Sequence, residues 1–156
     1  MKKTILVIVV FATICLGYCY KSVQRNKKLI FDFAYEMVNV SIPINNVVSK
    51  HIECDKIGKG ISLILISNFR KEYNKNPKKI YVYTYCEGLL NGFGKEIESP
   101  NKSQIYFVEF NDSLVIPILL NNESKVVAFS YGLKKGNENY LLRIDGIKEY
   151  KKQEAE

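Results

Sequence analysis

From Ser103 to Asp145 the chain alternates short apolar runs with clusters of Asn, Asp, Ser, Lys and Gly. In the first run Tyr106, Val108 and Phe110 alternate with Ile105, Phe107 and Glu109, the two-residue period of a strand. Asn111, Asp112 and Ser113 follow, residues that bond to their own backbone and make turns. Leu114 to Leu120 is unbroken and apolar, the pattern of a strand covered on both faces, but Pro117 inside it cannot donate to a ladder and predicts an edge or a bulge. After a second turn at Asn121–Ser124, Val127, Phe129, Tyr131 and Leu133 mark one face of a third strand and Ala128 and Ser130 the other. A turn around Gly136 leads to a last strand with Tyr140, Leu142 and Ile144 on one face and Arg143 and Asp145 on the other. Strands joined this closely can pair only antiparallel, so the block predicts a meander.

Upstream the period lengthens. Ile30, Phe33, Ala34 and Met37 recur at helical spacing, which predicts a helix from Leu29 to the break at Ser41-Ile42-Pro43. A second short helix is expected from Asn45 or Asn46, with Val47, Val48, His51 and Ile52 on its apolar side. Gly58-Lys59-Gly60 reads as a break, and Leu65, Phe69 and Tyr73 then predict a third helix over about 60–75. Ile80 to Tyr85 alternates Ile80, Val82 and Thr84 against Tyr81, Tyr83 and Tyr85, a fifth strand, and Gly88 to Pro100 reads as a loop. The fold class is therefore α+β, with N-terminal helices packed on a four- to five-stranded antiparallel meander sheet.

The N-terminus has a different character. Ile5 to Tyr20 carries no charge and follows Lys2 and Lys3, which predicts a signal peptide or membrane anchor over residues 1–20. Leu16-Gly17-Tyr18-Cys19 resembles a bacterial lipobox, making Cys19 a lipidation candidate, although Tyr18 stands where a small residue is expected. Residues 21–28 then read as a polar linker, 29–147 as a single domain and 148–156 as a charged tail. Lys2 and Lys3 favour a cytoplasmic N-terminus, whereas Lys21, Arg25, Lys27 and Lys28 pull the other way. The short two-lysine start favours export, so the domain is expected to be membrane-anchored or secreted, on the extracytoplasmic side.

That placement changes how the chemistry reads. Of the four cysteines, Cys54 and Cys86 fall in the domain, as one disulfide or as two separate buried thiols. The formal charge of +7 favours anionic surfaces. Lys56, Lys59, Arg70, Lys71, Lys75, Lys78 and Lys79 make the middle of the chain basic; behind an export segment this favours a solvated helix face or lipid headgroups and disfavours nucleic acid.

Catalytic signals are weak. His51 is the only histidine, so sites needing two are excluded. Glu53, Cys54 and Asp55 lie close to it, but no CxxC or HxxxH spacing supports a metal, and a Cys54–His51 nucleophile pair rests on proximity alone. Asp32 and Glu36, one helical turn apart, read as a solvated face. Gly58-Lys59-Gly60 lacks the spacing of a phosphate loop, and four Asn-x-Ser sequons, at Asn39, Asn101, Asn111 and Asn122, are expected in an Asn-rich chain with many turns. No cofactor or metal is expected.

Tyr81, Tyr83 and Tyr85 on one strand face are the leading ligand-binding candidates, because tyrosine joins apolar area to a polar tip; covered by a helix they would be core. The reading is a non-enzymatic binding or interaction domain, with the membrane contacted through the N-terminal segment and an envelope protein or small ligand as further partner. The competing class is a small enzyme or ligand-sequestering domain with a pocket between helices and sheet.

Overall fold

The structure is a computed structural model. It describes the backbone of residues 2–93, 97, 99, 101–111, 114–135 and 138–146, and the side chains of these from Tyr20 onward except at 132–135, 138 and 139. The signal-peptide, anchor and lipidation expectations, with Cys19, rest on side chains outside that set, as does the charged tail. Among the described residues no helix is long and apolar enough to cross a membrane.

Helices α1 (Lys2–Val38), α2 (Ile44–His51) and α3 (Lys56–Lys75) precede strand β1 (Tyr81–Thr84) and a short helix α4 (Tyr85–Leu90). A turn of 3-10 helix, Lys102–Gln104, leads into β2 (Ile105–Asn111), β3 (Leu114–Leu120), β4 (Val126–Lys135) and β5 (Glu138–Arg143). The five strands form one antiparallel sheet in the order β1-β2-β3-β4-β5. An α+β fold of helices on a five-stranded antiparallel sheet is what the alternation predicts.

The helices cover one face. Ile30, Phe33, Ala34 and Met37 of α1, Val47 and Val48 of α2 and Ile66 of α3 meet Tyr106, Val108 and Phe110 of β2, Ile118 of β3 and Phe129 of β4 in one cluster. Phe129 sits at its centre, with Phe33 and Phe69 rings 5.7 and 6.3 Å away. Most of these side chains are fully buried, so the described residues between helices and sheet pack closely.

Arg70 is a structural clamp. Its guanidinium donates to the carbonyls of Met37 (2.8 Å), Glu36 (3.3 Å) and Ile42 (2.6 Å), satisfying acceptors that the end of α1 leaves without helical partners. Burial lowers its pKa from the ordinary arginine value. It is therefore not part of the basic surface that Lys56, Lys59 and Lys71 present on α3.

Several boundaries differ from expectation. Lys21–Lys28, read as a polar linker, is helical and continues α1. Lys, Gln and Arg are good helix formers, and this stretch gains tertiary partners: Asn26 donates to the Tyr106 hydroxyl (3.2 Å), and Lys27 pairs with Glu87 (2.6 Å). Gly58-Lys59-Gly60 lies inside α3, which starts earlier because Asp55 caps it by accepting from the Gly58 N–H at 2.6 Å. Gly58 serves close packing instead: a Cβ there would lie 1.9 Å from the Ile144 carbonyl oxygen.

β4 departs from simple alternation. Leu119 pairs with Ala128 but Leu120 with Val126, and Ala128 pairs with Arg143 but Tyr131 with Leu141, so β4 carries an extra residue at each point. Each bulge shifts the side chains that follow to the other face. Phe129 thus joins the helix side with Val126, while Val127 and Ala128 face away. The proline in β3 also sits beside irregular pairing: Pro117 is in register with Phe107 of β2, and the β3–β4 pairs begin only at Leu119.

Candidate ligand-binding face

The other face of the sheet is closed on one half and open on the other. Its floor is the alternate set of β2, Ile105 and Phe107, with Leu119, Val127 and Ala128. Over the β1 half lies α4, started by a reciprocal cap. The Thr84 hydroxyl accepts from the Glu87 N–H (3.3 Å), and the Glu87 carboxylate accepts from the Thr84 N–H (2.7 Å) and hydroxyl (2.9 Å). Lys27 and this cap hold the Glu87 pKa below the ordinary carboxylate value, against a smaller opposing effect of burial. Gly88 lets α4 settle on the sheet, since a Cβ there would lie 2.1 Å from the Phe107 ring.

This turn into α4 separates the three tyrosines. Tyr85 is the first residue of the helix, not the last of the strand; it is buried, its ring stacks 6.0 Å from Phe107, and its hydroxyl accepts from the Ile97 N–H at 3.2 Å. Tyr83 is half-buried against Phe93, 5.0 Å away edge to face, and its hydroxyl donates to Glu109 at 2.9 Å. Burial first, then the Glu109 hydrogen bond and charge, leave the Tyr83 phenol pushed up to about 12. Tyr81 alone is exposed, with Lys79 Nζ 5.2 Å from its ring centroid. The structure thus offers one open ring on β1 and not a three-ring platform.

The sequence reading missed Tyr131. Pairing with Leu141 places it on the Val127 side of the sheet, where it is exposed at the edge of the open half. Burial, and the neighbouring Tyr85 phenol, raise its pKa. The bulge between Ala128 and Tyr131 hid it, because strict alternation assigns Tyr131 to the Phe129 face.

On the open half, a shallow depression of about 210 Å³ has Leu119 and Val127 in its floor and Asn101, Gln104, Asn122 and Arg143 on its rim. Gln104 donates to the Asn122 side chain at 2.7 Å, and Arg143 donates to Asp145 at 3.0 Å, so two rim groups are held in place. Amides both donate and accept. An apolar floor inside a rim of amides and one guanidinium can bind a neutral or anionic polar molecule.

The remaining candidates are dispersed. His51 is buried on the helix side, its Nε2 3.0 Å from Glu36 and its ring 5.7 Å from Phe33. Glu36 also takes Lys50, and that hydrogen bond, ahead of the contact with His51, keeps its pKa below the usual carboxylate value despite burial. Glu36 is therefore a bonded junction and not merely a solvated carboxylate. Glu53 accepts from the Asn121 side chain. Cys54 is half-buried at the start of α3, where burial and then Asp55 push its thiol up, away from the thiolate form. Cys86 is exposed on α4, and both cysteines are free. Cys54 packs with the helix-side cluster and Cys86 sits on the helix that covers the opposite face. Among the described residues no group of three or more His, Cys, Asp or Glu could hold a metal ion. The sequon residues Asn39 and Asn101 accept hydrogen bonds in local turns, from the Ser41 N–H (3.0 Å) and the Ser103 hydroxyl (2.7 Å).

No family model matches the chain, and neither a curated protein nor a solved structure is similar to it at a significant level.

Proposed function

We propose that this chain is an exported, membrane-held binding domain that takes a small or extended polar ligand on the open half of its sheet. One observation carries this reading. The sheet face away from the helices has an apolar floor that α4 covers only in part, and its uncovered half is ringed by amides and Arg143. A face built only for stability would be expected to close fully or to carry scattered charges.

The ligand classes that fit are short glycans and extended peptides, because both offer hydroxyl or amide groups at spacings that Asn and Gln side chains bind. Amide chemical-shift mapping with a panel of soluble glycan fragments and peptides tests this. Shifts clustered at Gln104, Asn122, Val127 and Arg143, weakened in Gln104→Ala and Arg143→Ala, are the expected outcome. Shifts confined to α1 and α3 would refute it.

The placement rests on the uncharged run Ile5–Tyr20 behind Lys2 and Lys3. Cys86, free and exposed, is a ready reporter. A membrane-impermeant maleimide should label it on intact cells, with the protein in the membrane fraction. Labelling only after lysis would overturn the extracytoplasmic side.

A further inference from the structure

The end of the domain at which α1 enters carries a second apolar feature. α4 ends in Leu89 and Leu90, both exposed, Leu90 at 89%. These residues lie within one helical turn of Glu87, and Glu87 is bonded to Lys27 of α1 at 2.6 Å. α4 is thus tied, through Glu87 and two to three residues before these leucines, to the turn of α1 that follows the uncharged segment.

The segment of α1 between them is basic. Lys21, Arg25, Lys27 and Lys28 fall within eight residues that contain no acidic group. Such a belt beside an apolar helix matches an anionic headgroup layer, which attracts cations held near its surface. Tyr18 and Tyr20 at the end of the uncharged run are residues that favour that boundary.

The distances agree. Lys27 follows Tyr20 by seven residues, a rise of about 10 Å in a helix. The headgroup layer on each side of the hydrocarbon is roughly 5–8 Å thick. A tilt of about 20°, ordinary for a membrane helix, lowers a point roughly 10 Å to its side by a further 4 Å or so. A tilt toward α4 therefore brings Lys27, and the helix that Glu87 ties to it, to the layer.

We propose that Leu89 and Leu90 are a second, shallow membrane contact that seats the domain against an anionic bilayer beside α1. This rests on the reading of residues 1–20 as a retained membrane segment. It gives α4 two tasks: Tyr85 and Gly88 close half of the ligand-side face, while the far end of the helix meets lipid.

The chain contains no tryptophan, so a single introduced one reports alone. The full chain carrying Leu90→Trp is placed in vesicles of phosphatidylcholine and phosphatidylglycerol. A matched chain carries Val40→Trp, at an exposed site two residues past the other end of α1. Both positions are open enough to accept the larger ring. The vesicles are floated, and emission is read with and without lipids brominated near the headgroup. Expected is flotation of both chains, with a blue shift and quenching at position 90 and neither at position 40. Flotation with a water-like, unquenched tryptophan at position 90 would overturn the contact and leave the anchor standing. Equal quenching at both positions would overturn the seating geometry, because the whole domain would then lie on the surface. Absence of flotation would remove the anchor and the contact together.

Discussion

Two glycines two residues apart on α3 should respond to the same substitution with opposite signs. At Gly58 an added Cβ would lie 1.9 Å from the Ile144 carbonyl oxygen and 2.8 Å from its carbon, where ordinary contact begins near 3.4 Å. The obstacle is backbone at the end of β5, so it cannot swing aside as a side chain would. Relief requires the first turn of α3 to move back by more than 1 Å (roughly a tenth of a helix diameter). That movement strains the Asp55 cap on the Gly58 N–H, at 2.6 Å, and the bond from the Asp55 N–H to the Ile144 carbonyl, at 3.3 Å. Overpacking costs about 1–3 kcal/mol and a weakened cap about 1 kcal/mol; the better helix propensity of alanine returns about 1 kcal/mol. Gly58→Ala should therefore destabilise by about 1–3 kcal/mol. At Gly60 nothing lies within 4 Å of the added carbon. Gly60→Ala should gain about 0.5–1 kcal/mol from helix propensity and a less free unfolded chain. Urea unfolding followed by far-ultraviolet circular dichroism separates them: at a slope of about 2 kcal/mol per molar, the midpoints should differ by roughly 1–2 M. A Gly58→Ala protein as stable as Gly60→Ala would refute the close approach of α3 to β5.

Other substitutions probe other contacts. Arg70→Met keeps the side-chain bulk but removes three charged hydrogen bonds to carbonyls, and should cost about 2–4 kcal/mol in the same assay; Arg70→Lys should recover only part, because an ammonium lacks the fork. Glu36 has a folded pKa below the ordinary 4.5, so its contribution is present above the unfolded pKa and is lost as pH falls through the folded value. Glu36→Gln should accordingly lower stability at neutral pH and flatten the loss below about pH 4.5, measured as melting temperature against pH. Tyr83 shows the opposite sign: its stabilisation is complete below about pH 10 and fades as pH rises toward about 12. Ultraviolet titration should show Tyr83 contributing a step that ends near pH 12, and Tyr83→Phe should remove that contribution and leave the raised Tyr131 in place.

The meander was legible because β2 and β5 keep a two-residue period, β3 is an unbroken apolar run, and all are bounded by turn formers. Asn121 illustrates how direct that code is, since its side chain accepts from the N–H groups of Glu123 and Lys125, at 3.0 and 2.9 Å, and shapes the β3–β4 turn. The start of α3 was harder to read. Gly58 carries a break signal locally but is needed for packing against Ile144, a contact distant in sequence. α4 was hidden for a related reason, because Thr84 and Glu87 form a capping box inside what looks like the end of a tyrosine-alternating strand. The sheet face away from the helices was legible only in part. Tyr81 and Tyr83 were read correctly as sharing one strand face, Tyr85 was placed on the wrong element, and Tyr131 was grouped with Phe129 because period-two counting cannot see a bulge.

Glu87 joins the two halves of the functional argument. Its carboxylate accepts from the Thr84 backbone and hydroxyl, and it pairs with Lys27, so one group starts α4 and ties it to α1. Side-chain exposure of 47% limits what the ion pair itself contributes to stability. The larger consequence is positional. Without the tie, α4 keeps the packing of Tyr85 and Gly88 on Phe107 and the Tyr85–Ile97 bond, all at its inner side, and its outer end is freer to lift. Glu87→Ala should therefore leave the helix-side core near wild-type stability while speeding amide exchange in Tyr85–Leu90. The same variant, placed in vesicles with Leu90→Trp, should lose part of the lipid quenching, because the leucines are no longer held beside the basic turn of α1. If exchange in α4 stays slow and quenching is unchanged, packing on Phe107 alone positions the helix, and the Lys27–Glu87 pair is only a surface ion pair.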